Sequence, residues 1–156
     1  MSDVTGGKKV TAVNNEGAIG SVMRYTTNGE APASTDSEWP SAGLTLNTAG
    51  TTTIKVASFV GTSKGAVATE EVTVTKLTAP TVTPGENSFT ITGGDAEIEA
   101  DFYYRFGSSG SWSKYTEAVA ITETVTVQAY AKKKGYVDSD AVEQEVEYVA
   151  PEENEG

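Results

Sequence analysis

Three groups of residues in this 156-residue chain have the types and spacing to do chemistry. Glu97, Glu99 and Asp101 alternate with Ile98, Ala100 and Phe102, which on a strand would set three carboxylates on one face as a Ca²⁺ row or an acid pair. Ca²⁺ takes roughly six to eight oxygens, usually from a bent loop, and a straight strand offers few. The row therefore reads as a solvated strand face. Trp39, Trp112 and Tyr115 stand near turns. Exposed, they would stack on a sugar ring or anchor a protein interface; covered, they would close the ends of small sandwiches. Lys132-Lys133-Lys134 is the one basic cluster, and acids flank it, so it reads as a solvated hairpin tip.

The chain contains no histidine and no cysteine. Ser-His-Asp and Cys-His nucleophiles, thiolate or imidazole metal sites and disulfides are excluded with them. With 22 acidic against 11 basic side chains the net charge is −11, the wrong sign for neutralising phosphates. No cofactor, no nucleic acid and no catalytic residue is expected. An enzyme would have to work with carboxylates alone, about 5–10 Å apart across a cleft that small sandwiches rarely provide.

The elements that must position these residues are strands. The chain has 23 Thr, 17 Val and 18 Ala but only 3 Leu, a composition suited to pleated, half-buried surfaces and poor for helical stripes. Apolar and polar residues alternate over 52–59, 71–75, 124–131 and 145–149. Asn28-Gly29 predicts a type I′ turn after Tyr25-Thr26-Thr27, and Gly107-Ser108-Ser109-Gly110 does a similar job later.

Those turns begin a repeat. Met23-Arg24-Tyr25 leads into the first and Phe102-Tyr103-Tyr104 into the second. An aromatic follows each (Trp39, Tyr115), then two apolar residues (Leu44 and Leu46; Val119 and Ile121), then a long alternating strand. Tyr25 to Ile54 spans 29 positions and Tyr104 to Val127 spans 23. A proline-bounded stretch, Ala79 to Pro84, separates the copies. Charge divides there too: residues 1–78 carry a net −1 and residues 79–156 a net −10. The expected organisation is an immunoglobulin-like β-sandwich over 1–77, a second over 78–150 and an acidic tail over 151–156, each sandwich of about seven short strands.

Tyr25-Thr26-Thr27-Asn28-Gly29, Leu44-Thr45-Leu46 and Thr51-Thr52-Thr53-Ile54-Lys55-Val56-Ala57 resemble the immunoglobulin-like repeat of chitobiase/β-hexosaminidase C-terminal domains, a relative of fibronectin type III. In the second copy, Ala79-Pro80-Thr81-Val82-Thr83-Pro84 resembles the opening and Lys133-Lys134-Gly135-Tyr136 to Val142 the closing turn and strand. Tyr104-Arg105-Phe106-Gly107 departs from the family's Asp-Gly turn, and the first copy's Gly61-Thr62-Ser63-Lys64-Gly65 from its closing turn. The resemblance implies accessory spacers and binding modules, with no catalytic residues to carry over.

The expected function is a non-enzymatic structural or interaction protein. Its leading setting is a bacteriophage virion, as a capsid decoration or head or tail component assembled in the host cytoplasm, with the near-neutral first sandwich docking on capsid or tail proteins and the acidic second one projecting outward. The N-terminus shows no apolar secretory stretch, and no run approaches the ~18 apolar residues of a membrane span. The alternative is an extracellular carbohydrate-binding or spacer module from a secreted glycoside hydrolase or adhesin, which requires Trp39 or Trp112 exposed.

Overall fold

The computed structural model describes residues 1–15, 17–94 and 98–153. The chain is all-β, as its composition predicts, with antiparallel strand pairs and no α-helix among those residues. In chain order the strands are β1 (Ser2–Val4), β2 (Gly7–Val10), β3 (Val22–Thr26), β4 (Leu44–Leu46), β5 (Gly50–Val60), β6 (Ser63–Val74) and β7 (Pro80–Gly85). They continue with β8 (Ser88–Gly93), β9 (Asp101–Phe106), β10 (Ser113–Lys114), β11 (Val119–Ala120), β12 (Val125–Lys132) and β13 (Val142–Val146). Two compact units result: Met1–Thr75 with Lys134–Val137, and Lys76–Lys133 with Asp138–Gly156.

The first unit has two three-stranded sheets, ordered β1-β2-β4 and β3-β5-β6. Strand propensity and period-two patterning make β5 and β6 long, and they pair from Gly50 opposite Val74 to Val60 opposite Ser63, with a register shift between Ala57 and Phe59. Val10, Trp39, Ile54 and Val72 form the core, with Met23, Tyr25, Leu44, Leu46 and Val56 packed on it. Gly7 admits no side chain: a Cβ there would sit 1.9 Å from the Leu46 carbonyl oxygen. The Gly135 N–H donates to the Val4 carbonyl at 3.0 Å and the Val137 N–H to the Thr75 carbonyl at 2.9 Å, which seats the 134–137 segment in this unit.

The turn at Asn28-Gly29 forms, but not as type I′. Only Gly29 has positive φ, at 83°. The Asn28 side chain instead accepts the Glu30 N–H at 3.0 Å, a local bond that lets asparagine turn the chain without entering the left-handed region. The returning chain meets β3 through a single Arg24–Glu38 bridge rather than a full strand.

The second unit has sheets ordered β10-β9-β12-β13 and β11-β8-β7. Val82, Phe89, Ile91, Ile121, Val127, Ala129 and Val146 are buried between them. Phe89 meets Tyr104 edge-on at 5.4 Å. The closing strand is shorter than its alternation predicts, ending at Val146. Beyond it side chains hold the backbone: the Thr124 hydroxyl accepts the Tyr148 N–H at 3.0 Å, and Asn87 exchanges two bonds with Val149.

The two units repeat one pattern. Tyr25 on β3 lies opposite Val56 on β5, and Tyr104 on β9 lies opposite Ala129 on β12. Each partner is two residues beyond the one the repeat spacing marked, so the 29- and 23-residue offsets describe equivalent strand pairs.

Candidate interaction face

β9 and β12 have one buried and one outward face, because successive side chains on a strand alternate. On β12, Val127, Ala129 and Ala131 are fully buried, so Gln128, Tyr130 and Lys132 project outward. On β9, Phe102 and Tyr104 pack on the core, so Tyr103 and Arg105 share that outward face. Register sets Tyr130 opposite Tyr103, Gln128 opposite Arg105, and Glu143 of β13 opposite Gln128. Ser113 and Lys114 of β10 pair with Tyr104 and Tyr103, which brings Trp112 beside Arg105.

The result is a continuous row from Trp112, just before β10, across β9, β12 and β13. The Arg105 guanidinium lies 4.5 Å from the Trp112 ring centroid. Its Nε–H donates to the Gln128 side-chain Oε1 at 2.9 Å, and the Gln128 side-chain Nε2 donates to the Glu143 carboxylate at 2.8 Å. Tyr103 and Tyr130 stack at 5.6 Å with an interplanar angle of 23°, and Trp112 meets Tyr130 edge-on at 4.6 Å. Aromatic contacts of this kind are worth about 0.5–1.5 kcal/mol beyond area burial, and a cation over an exposed ring about 0.5–1 kcal/mol. The rings and the guanidinium are thereby held before any ligand arrives.

Two groups here titrate away from their ordinary values. Burial raises the Tyr130 hydroxyl, with Lys132 opposing that rise and Asp138 and Tyr103 adding to it. Lys114 is raised by its hydrogen bond to Asp101, and then by the charge of that carboxylate, 2.9 Å away.

The sequence-marked aromatics do not come together. Trp39 is 9% exposed in the core of the first unit, edge-on to Tyr25 at 5.4 Å, which leaves too little of its ring open for a sugar to stack on. Tyr115 is half-buried against the core of the second unit, and its backbone N–H donates to Phe102. Trp112 alone lies on the outward face. Tyr103, Arg105, Gln128, Tyr130 and Glu143 carry no motif of their own, although period-two counting from Ala129 sets Gln128 and Tyr130 on one face.

The carboxylate row is not a straight strand face. Glu97 lies outside the described residues; Glu99 sits in a turn at φ 53°, and the strand begins only at Asp101. Among the described residues no three acidic side chains converge to hold a metal. The lysine cluster is split by its neighbours: Lys132 pairs with Asp138 at 4.0 Å, and Lys133 reaches the Glu99 carbonyl at 3.5 Å. Of the acidic tail, residues 151–153 are exposed and 154–156 lie outside the described residues.

No family model matches this chain, and no curated protein matches it either.

Proposed function

We propose that this chain is a non-enzymatic interaction protein of a larger protein assembly, with a bacteriophage virion, as capsid decoration or head or tail component, as its leading setting. One observation carries the reading: the Trp112–Arg105–Gln128–Glu143 row with the Tyr103–Tyr130 stack beside it. Trp, Tyr and Arg are the side chains that dominate binding energy at protein interfaces. Rings held by their neighbours lose little further freedom on docking, which favours affinity. This face belongs to the second unit, so we assign docking there rather than to the near-neutral first sandwich. The charge on the face is mixed, with Arg105, Lys114 and Lys132 among Asp101, Glu143 and Glu145, which favours a partner of mixed charge over a phosphate backbone. Cosedimentation of the purified chain with capsids or tails lacking it tests the proposal. Retention that Trp112→Ala abolishes supports it, and retention indifferent to Trp112 overturns it.

The same face favours a second reading, a carbohydrate-binding module. Aromatic rings beside an amide and a carboxylate can stack on a sugar and hydrogen-bond its hydroxyls. Retardation in polysaccharide gels, lost in Tyr103→Ala, would favour it; free migration through a glycan panel would remove it.

A further inference from the structure

We infer that β6 of the first unit is an acceptor edge, taking an extended, positively charged strand of a partner protein into the groove beside it. This goes beyond the face on the second unit and does not depend on it.

β6 is 12 residues long and stands at the end of its sheet, paired with β5 alone among the described residues. From Ala66 through Glu71 every side chain is exposed, those on the core-facing side included. Beside that stretch lies an open groove of about 500 Å³, floored by Val10, Trp39 and Ile54, with Ala66, Ala68 and Glu70 of β6 at its margin. Val13, which also lines it, is 78% exposed, and Val67 on β6 is 38% exposed. A sheet edge presents a row of backbone donors and acceptors, and another extended chain satisfies such a row most completely. Its alternate side chains would enter the groove, the arrangement of strand addition.

The other edge strands are shorter or carry proline: β1 and β4 have three residues each, β10 and β11 two, β3 and β13 five, and β7 carries Pro80 and Pro84. β6 has no proline from Ser63 to Val74.

Charge decides between a second copy and a different chain. The regular part of β6 runs from Val67 to Val74, beyond the register shift. Successive side chains point to opposite faces, so a second β6 paired antiparallel about a two-fold axis near the middle of that stretch would set Glu70 opposite its own copy or Glu71 opposite its own copy. Like charges directly opposite one another oppose pairing. The fitting occupant therefore carries Lys or Arg opposite Glu70 and small apolar residues at alternate positions on the same face.

The test uses the full chain and a synthetic peptide alternating valine with threonine, with one valine replaced by lysine. Backbone amide exchange is followed with and without peptide, alongside light scattering and a glutamate-for-lysine control peptide. The expected result is saturable binding that slows exchange within Lys64–Thr73. It should prefer the lysine peptide by about fivefold to tenfold, a preference that Glu70→Lys reverses. No binding, protection mapping elsewhere, or equal affinity for both peptides overturns the inference. A concentration-dependent dimer with β6 amides already protected overturns it too, in favour of a second copy as occupant.

Discussion

The Arg105 guanidinium lies 4.5 Å over the Trp112 ring while its Nε–H donates to Gln128 on the neighbouring strand. One side chain thus ties the β10 margin of the sheet to β12, and Gln128 passes the tie to Glu143 on β13. Arg is suited to this because its planar group stacks and donates at once, which a lysine ammonium does not. Arg105→Lys should therefore weaken particle binding nearly as much as Arg105→Ala. Titration of both variants against the same particles checks this; a lysine variant binding like wild type would show that only the charge matters.

Trp39 and Trp112 should separate stability from binding. Trp39 is in the core, so Trp39→Ala should cost about 3–5 kcal/mol of folding stability. Trp112 is half-buried on the sheet face, so Trp112→Ala should leave the fold cooperative while reducing binding by about 2 kcal/mol or more, roughly thirtyfold. Denaturant melts run beside binding titrations distinguish the two effects.

Alkaline pH should loosen the second unit. Tyr130 is raised above the ordinary 10.0 by burial and Lys114 above 10.5 by its bond to Asp101. For both groups the folded chain holds its proton where the unfolded chain has released it. Their stabilisation is complete below the unfolded values and lost as pH climbs through the raised ones. Thermal melts should thus show no contribution from either group to a pH trend around neutrality, and a decline from about pH 10 upward that Tyr130→Phe makes shallower. An unchanged slope in that variant would contradict the assignment to Tyr130.

Gly7→Ala should be severe for so small a change. Its Cβ would lie 1.9 Å from the Leu46 carbonyl oxygen, so β2 and β4 would have to part. Overpacking of this kind costs about 1–3 kcal/mol. Gly29→Ala meets no atom within 4 Å and is penalised only by its φ of 83°, so it should cost less. Equal denaturation midpoints for the two variants would contradict the close approach at Gly7.

Much of this architecture was legible in the residue pattern, for physical reasons. β5 and β12 alternate cleanly because one face of each is buried, and the repeat spacing found their partners to within two residues. The outward face was hidden because Phe102-Tyr103-Tyr104 is aromatic at every position, so polarity does not say which ring points in. Pairing Arg105 with Gln128 required the register across 23 residues. The alternation over 71–75 reveals only the end of β6; Ala66 to Glu71 is exposed on both faces, and without burial there is no hydrophobic period to read. Glu99 looked like a strand residue by spacing alone, and its left-handed φ breaks the row.

The proposed docking role of the outward face of the β10-β9-β12-β13 sheet stands or falls on one experiment. Cosedimentation of the intact chain and its Trp112→Ala variant with capsids or tails lacking the protein tests it most directly. The wild-type chain should travel with the particles while the folded variant stays in the supernatant. Equal sedimentation of both, or of neither, would contradict it.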